Sequence, residues 1–166
     1  KKTADAAREA SHQIAALDTQ TKDRVLLTVA ELLKQQIPTI ITENQKDLNN
    51  GKASGLSDAM MDRLMLDEGR IIAIANAVEE IANLPDPVGR VDNMQIRPNG
   101  IQVGKMRIPL GVIAMVYESR PNVTIDAAAL CFKAGNCVIL RGGKEALHSN
   151  LALARCFTTA LEQHNV

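Results

Sequence analysis

Apolar residues recur every three or four positions through the first half of the chain, which is the period of a helix buried on one face. This pattern predicts helices over residues 3–17, from about residue 20 to Pro38, and from Pro38 to about Asn49, with Gly51 and Gly55 in the loop that follows. Ser57 and Asp67 are typical N-cap residues, and each precedes a further helical pattern. We therefore expect a helical layer over residues 1–84.

The period changes to two between residues 88 and 108. Met94 and Ile96 alternate with polar residues, and the turn sequence Pro98-Asn99-Gly100 follows, so this segment predicts a β-hairpin arm. In the return strand the apolar positions change phase between Val103 and Met106, which predicts a β-bulge near Gly104-Lys105.

From Pro109 onward the pattern is β-α-β-α. Leu110–Tyr117 and Cys137–Leu140 are continuous apolar runs, which are typical of buried parallel strands. The helix between them is expected near residues 123–134, with Asn122 or Thr124 as its cap and Gly135-Asn136 as its stop. The last helix is expected to bury a face made of Leu147, Leu151, Ala154, Thr158 and Leu161.

Two buried parallel strands do not complete a doubly wound sheet, which needs neighbouring strands and helices on both faces. Residues 109–166 are therefore expected to be the first β-α-β-α of a Rossmann-like domain. The sequence as a whole predicts an α/β fold that is truncated relative to a larger enzyme.

Composition argues against several classes of function. Lys+Arg and Asp+Glu both number 19, and aromatic residues make up 2%, so neither a basic surface nor a base-stacking platform for nucleic acid is expected. No apolar run approaches the ~18 residues of a membrane span, and no signal peptide is evident, which favours a cytoplasmic protein. The three cysteines and three histidines show no metal-ligand spacing, and the thiols are expected to be buried and reduced.

Two polar segments follow the two predicted strands, at the sheet edge where open α/β folds bind ligands. The second of these, Arg141-Gly142-Gly143-Lys144, combines flexible glycines and two cations at the start of a helix, which suits a phosphate group. The same residues could equally form a glycine turn with solvated charges.

The first polar segment, Glu118-Ser119-Arg120-Pro121-Asn122, allows two interpretations. Arg120 could pair with a substrate carboxylate or phosphate, and Ser119 or Asn122 could donate a hydrogen bond to a developing oxyanion. Alternatively, Asn122 is a helix cap and Arg120 a salt-bridge partner. Tyr117 is interpreted as a packing residue, and Asp126 as a carboxylate that interacts with the helix dipole.

The segment PLGVIAMVYESRPNVTIDAAALCFKAGNCVILRGGKEALHSN is very similar to the γ-glutamyl phosphate reductases. These glutamate-5-semialdehyde dehydrogenases of proline biosynthesis form a family within the aldehyde dehydrogenase superfamily. The motifs YESRPNVT and VILRGGKE carry the resemblance, which extends back through LSDAMMDRL and effectively covers the chain. Members of the family are more than twice this length, which agrees with the expected truncation.

The resemblance implies NADPH-dependent reduction of L-glutamyl 5-phosphate to L-glutamate 5-semialdehyde with release of phosphate. In the family a cysteine thiolate displaces phosphate to give a thioester, which a hydride then reduces. Cys131, Cys137 and Cys156 do not match the motif of that nucleophile. The catalytic cysteine is therefore expected in a C-terminal domain that this chain lacks, and the chain alone is expected to be inactive.

The resemblance also assigns roles to the two polar segments. Arg141, Gly142, Gly143 and Lys144 are expected to bind the cofactor, and the basic Lys144 favours NADP over NAD. Ser119 falls where aldehyde dehydrogenases place their oxyanion asparagine and Asn122 lies three residues later, so either can serve. Arg120 is the candidate for binding the substrate, glutamyl 5-phosphate.

The resemblance implies two kinds of partner. The hairpin at Met94–Ile108 resembles the arm that aldehyde dehydrogenases use in oligomer contacts, so a homo-oligomer is expected for the full-length enzyme, together with a functional link to glutamate 5-kinase. Two alternatives remain open. The chain could be a non-catalytic nucleotide-binding or interaction fragment, or part of another acyl-phosphate or aldehyde reductase with the same fold.

Overall fold

Seven helices and four strands make up the part of the chain that the computed structural model describes, residues 2–166. In chain order they are α1 Lys2–Ala15, α2 Thr19–Gln35, α3 Ile37–Ala53, α4 Asp58–Leu64, α5 Glu68–Asn83, β1 Val91–Ile96, β2 Gln102–Met106, β3 Val112–Val116, α6 Asn122–Lys133, β4 Cys137–Arg141 and α7 Leu147–Gln163. A 3₁₀ turn at Lys144–Ala146 precedes α7.

The core lies where α2 packs against α5, α6 and α7. Val25, Leu26 and Val29 on α2 are fully buried, as the sequence period predicted. Phe132 of α6 and Phe157 of α7 meet edge to face with their ring centroids 5.8 Å apart, a favourable geometry for two aromatic rings. The helical layer and the β-α-β-α segment therefore share one core.

The helix boundaries follow the capping residues. The Ser57 and Asp67 side chains accept hydrogen bonds from the backbone N–H groups of Met60 and Arg70, which confirms both predicted N-caps. Gly51 was wrongly predicted to lie in a loop, since it is a buried residue in the last turn of α3. A Cβ on Gly51 would lie 2.9 Å from Leu56 Cδ1, so the close approach of that side chain explains a glycine there.

The β1–β2 hairpin is confirmed, but its bulge lies on the opposite strand from the prediction. Asp92 pairs with Lys105 and Gln95 with Val103, so Asn93 and Met94 of β1 together face Gly104. Asn93 adopts a left-handed conformation with φ of 57°, which asparagine tolerates better than most residues. A Cβ on Gly104 would lie 2.9 Å from Val91 Cγ1, so this glycine leaves room for the bulged strand.

β3 and β4 form a parallel pair with α6 as the crossover, and α1 packs against both strands. The prediction that Leu110–Tyr117 is a buried strand was wrong, because no residue of β3 is buried and Val116 is 76% exposed. The predicted burial of Cys137–Leu140 was wrong as well, since these residues are only partly buried. α6 ends at Lys133, and Gly135, two residues later, has a φ of 73° that permits the C-terminal turn. The next residue, Asn136, accepts hydrogen bonds through Oδ1 from Leu110 N at 2.6 Å and Gly111 N at 3.0 Å. One side chain therefore links the end of α6 to the start of β3.

The buried face of α7 also differs from the prediction. Leu147 and Leu151 are half exposed, and Thr158 is exposed. The face that packs on the core instead carries Ser149, Ala152, Leu153, Cys156, Phe157 and Ala160. Small and polar residues on this face gave a weaker hydrophobic signal than the exposed leucines, which explains the error.

Candidate functional site

The carboxyl ends of β3 and β4 bring the two predicted polar segments together. The strands pair in register from Val112 with Cys137 to Val116 with Arg141. Tyr117 N also donates a hydrogen bond of 3.1 Å to Arg141 O. Arg141 is therefore the last residue of β4, although it was predicted to lie in the loop after that strand.

A hydrogen-bonded chain of three side chains fixes the base of the site. The Tyr117 hydroxyl contacts Thr124 Oγ1 at 2.7 Å, and Thr124 Oγ1 donates to Asn150 Oδ1 at 2.9 Å. Gly142 packs directly on this chain, because a Cβ there would lie 2.9 Å from Tyr117 Cζ. The tyrosine interpreted as a packing residue therefore also takes part in a polar network that ties β3, α6 and α7 together.

Ser119 and Glu145 connect the two loops directly. Ser119 Oγ donates to Glu145 Oε2 at 2.9 Å, and a Cβ on Gly143 would lie 2.6 Å from the same Oγ. The Glu145 backbone amide and the Ser119 hydroxyl together lower the pKa of Glu145, as expected for a carboxylate that accepts hydrogen bonds. Sequence reasoning missed Glu145, although it directly follows the Arg141–Lys144 segment.

The predicted substrate and oxyanion residues have carboxylate partners. Arg120 Nε lies 2.7 Å from Glu118 Oε1, and both side chains are about half exposed. Asn122 Nδ2 donates to Asp126 Oδ2 at 3.0 Å. The prediction that Asn122 or Thr124 caps α6 was wrong, because Pro121 occupies the N-cap position without a side-chain hydrogen bond.

Asp126 sits in the first part of α6 as a half-buried carboxyl group. Burial raises the pKa of Asp126, and the hydrogen bond from Asn122 offsets part of that rise. The sequence interpretation as a helix-dipole partner does not account for this environment, because burial in apolar surroundings disfavours a charge without a cation beside it.

Arg141 and Lys144 are exposed at the loop, and within residues 2–166 neither forms a salt bridge. Gly142 and Gly143 lie between them and leave room for the side chains of Tyr117 and Ser119. Two free cations beside a glycine pair, at the end of a parallel strand and before a helix, fit the phosphate groups of a dinucleotide cofactor.

A buried carboxylate from the helical layer holds the helix that follows the loop. Asp47 of α3 accepts hydrogen bonds from His148 N at 3.1 Å, Ser149 N at 2.7 Å and Ser149 Oγ at 2.6 Å. It therefore caps α7 from outside the helix, and no local signal could show this because about 100 residues separate the partners. Asn44 adds a 2.9 Å hydrogen bond to Ser149 Oγ.

The thiols resemble packing residues more than nucleophiles. Burial raises the pKa of Cys156 to about 11 and raises that of Cys131 as well. Among the described residues, no group of three His, Cys, Asp or Glu side chains could hold a metal ion. None of the helices in that part of the chain has the length and apolar character needed to cross a membrane.

Comparison with known proteins finds this sequence in γ-glutamyl phosphate reductases. The chain is 58% identical over 160 residues to a γ-glutamyl phosphate reductase from Geobacter sp. strain M21, a match covering 96% of the chain and 38% of the relative. The chain thus spans about two fifths of the length of such relatives. The resemblance seen in the sequence motifs is confirmed.

Solved structures of γ-glutamyl phosphate reductases agree with the match found by sequence. The crystal structure of γ-glutamyl phosphate reductase from Thermotoga maritima matches with a TM-score of 0.94 and 34% identity, covering 98% of this chain and 39% of that one. The yeast enzyme matches with a TM-score of 0.89 and 30% identity, covering 95% of this chain and 40% of that one. A benzaldehyde dehydrogenase from Corynebacterium glutamicum, at 21% identity and a TM-score of 0.73, shares the fold.

These neighbours confirm the predicted α/β fold class. The model of the aldehyde dehydrogenase family matches residues 1–166. With every residue matched, and with the two polar segments meeting at the sheet edge as that fold requires, the chain belongs to the aldehyde dehydrogenase family.

Proposed function

We propose that this chain is a segment of a γ-glutamyl phosphate reductase, and the complete enzyme that contains it is called the full-length enzyme below. Its reaction would be the NADPH-dependent reduction of L-glutamyl 5-phosphate to L-glutamate 5-semialdehyde, with release of phosphate. The observation that carries the proposal is the 58% identity over 160 residues to a protein of that name. Six solved aldehyde dehydrogenases with other names match at 12–21% identity.

The test is the reverse reaction, with glutamate 5-semialdehyde, phosphate and NADP supplied to the full-length enzyme and to the 166-residue chain. We expect NADPH to form only with the full-length enzyme, because burial raises the pKa of Cys131 and Cys156 and none of the three cysteines matches the motif of the family's nucleophile. Turnover by the chain alone would contradict this placement of the nucleophile. No turnover by the full-length enzyme would contradict the proposed function.

Asn122 is the better of the two candidates for the oxyanion. A hydroxyl group has one hydrogen to donate, and Ser119 already gives it to Glu145. An amide has two, and Asn122 uses only one of them, toward Asp126. The second N–H of Asn122 would stabilise negative charge that develops on the substrate oxygen. Asn122→Ala should therefore lower kcat far more than Ser119→Ala does.

Arg120 is proposed to bind the phosphate or carboxylate of the acyl-phosphate substrate, exchanging its exposed partner Glu118 for the ligand. Because an exposed ion pair contributes little to stability, this exchange costs little. Arg120→Ala should raise the KM for glutamyl phosphate much more than the KM for NADPH. Equal changes in both constants would contradict the assignment.

The loop at Arg141–Lys144 is proposed to bind NADP in preference to NAD. When bound, the cofactor supplies the hydride; the protein supplies cations for its phosphates, and Lys144 is the candidate for the 2′-phosphate. Lys144→Glu should shift the preference of the full-length enzyme toward NAD, because it places a negative charge near that phosphate. Unchanged selectivity between the two cofactors would contradict the role of Lys144.

The hairpin arm is proposed to mediate a homo-oligomer of the full-length enzyme. Ile96, Ile101, Met106 and Ile108 are each more than half exposed, and such a concentration of apolar side chains on a projecting hairpin fits a protein interface. Ile96→Asp with Met106→Asp should reduce the mass in solution measured by analytical ultracentrifugation.

A cytoplasmic location of the full-length enzyme and a functional link to glutamate 5-kinase are also proposed.

A further inference from the structure

A cleft of about 300 Å³ opens beside the Glu118–Asn122 segment, between α5 and the start of α6. Its polar lining comes from Arg63, Arg70, Asn122 and Asp126, and Ala73 and Ala77 form part of an apolar wall. Arg63 also borders a smaller cavity with Glu118 and Ser119. The cleft therefore adjoins the residues that we place at the reacting end of the substrate.

The two arginines of the cleft differ in availability. Arg70 is held by Asp62 Oδ1 at 2.6 Å and by Met65 O at 3.1 Å, so its hydrogen bonds hold the end of α4 in place. The only salt bridge of Arg63 within the described residues is a 3.6 Å contact to Glu118 between two half-exposed side chains. Arg63 is thus a cation that a ligand could engage.

Asp126 offers the opposite charge. Its Oδ2 accepts from Asn122, whereas within residues 2–166 no protein group donates to Oδ1 and no cation pairs with the carboxylate. Burial raises the pKa of this group, as expected for a carboxyl group that no cation accompanies. A ligand ammonium group would supply one.

Asn122 and Asp126 are close enough for one glutamyl group to contact both. Asn122 Nδ2 lies 3.0 Å from Asp126 Oδ2, and three carbon–carbon bonds separate the reacting carbonyl of a glutamyl group from the carbon that bears its ammonium group. The alanine wall leaves room for the intervening methylenes.

We propose that this cleft binds the α-amino-acid end of the substrate. The Asp126 carboxylate accepts hydrogen bonds from the ammonium group, and Arg63 pairs with the α-carboxylate. The assignment rests on the proposed function, because it takes the glutamyl group as the substrate. It makes the cleft the part of the enzyme that distinguishes an amino-acid aldehyde from a simple one.

The test compares two aldehydes that differ only in the α-amino group, L-glutamate 5-semialdehyde and glutarate semialdehyde, in the reverse reaction of the full-length enzyme. Asp126→Asn keeps the side-chain shape and an oxygen for Asn122 but removes the charge. We expect the ratio of kcat/KM for the two aldehydes to fall by about 10- to 100-fold, the range for losing a charge-assisted hydrogen bond. Arg63→Ala should lower kcat/KM for both aldehydes, since both keep the α-carboxylate, and leave the ratio unchanged.

Asp58→Asn is the matched control, because Asp58 is an exposed carboxylate at the start of α4. An unchanged ratio in Asp126→Asn, or an equal fall for both aldehydes, would overturn the proposal and leave Asp126 as a positioning residue for Asn122.

Calorimetric titration with L-glutamate and with glutarate provides a readout that does not need turnover. Wild type should bind L-glutamate more tightly, and Asp126→Asn should remove the difference; a difference that survives in the variant would also overturn the proposal. An enzyme that binds L-glutamate in this way but does not turn over the semialdehyde would contradict the proposed reaction while supporting the cleft.

Discussion

Replacing Asp47 with alanine tests whether α7, the helix that follows the Arg141–Lys144 segment, depends on a carboxylate from the helical layer. Asp47 is 2% exposed and Ser149 is fully buried. The change leaves two backbone N–H groups and one hydroxyl without their acceptor. Loss of a helix cap costs about 1 kcal/mol and loss of a hydrogen bond to a charged group about 1.5–3 kcal/mol. Because the three bonds share one carboxylate, we expect a total of about 3–5 kcal/mol rather than their full sum.

The measurement is urea unfolding of the 166-residue chain followed by circular dichroism. The midpoint should fall with an unchanged slope, since the surface exposed on unfolding stays the same. Asp47→Asn keeps one acceptor oxygen and should lose about half as much. Asp58→Ala removes an exposed first-turn carboxylate and should cost less than about 1 kcal/mol. If Asp47→Ala cost no more than this control, the carboxylate would not hold α7 in place.

Three further predictions concern packing, thiol chemistry and acid stability. Gly143→Ala should cost about 1–3 kcal/mol in the same assay, because the new methyl group would lie 2.6 Å from Ser119 Oγ; a variant as stable as wild type would show that the loops are loosely packed. At pH 8, iodoacetamide should alkylate Cys156 about a hundredfold more slowly in the folded chain than in urea, because its pKa of about 11 leaves little thiolate. Mass spectrometry of the peptides measures the two rates, and equal rates would contradict the burial of this thiol. Asp86→Asn should lose stability that wild type has above pH 4. Burial alone would raise the Asp86 pKa, but hydrogen bonds from Lys22 and other donors lower it below 3.8. The stability advantage of wild type should therefore shrink as the pH falls below 4, and a constant advantage down to pH 2 would contradict this prediction.

Local signals in the sequence were sufficient for most of the element boundaries. Ser57 and Asp67 cap their helices as predicted, because a cap depends only on the residues that follow it. The bulge was assigned to the wrong strand because a change of phase shows that two strands differ by one residue but not which strand carries it.

Contacts between distant segments could not be predicted in the same way. The partnership of Asp47 with Ser149 and that of Ser119 with Glu145 depend on packing that no local period reveals. The meeting of the two polar segments was predictable, because parallel strands joined by one helix must present their carboxyl ends at one edge. The partner of each side chain at that edge was not.

The Asn136 side chain has a consequence for how this fold can change during evolution. It fastens the amino end of β3 through two main-chain N–H groups, whereas the carboxyl end is tied by side chains such as Ser119 and Glu145. Substitutions in the carboxyl-end loops can therefore alter ligand preference without loosening the strand pair at its other end. In a fold held in this way, the residues at one edge of the sheet can change their chemistry while the strand pairing at the other edge stays the same.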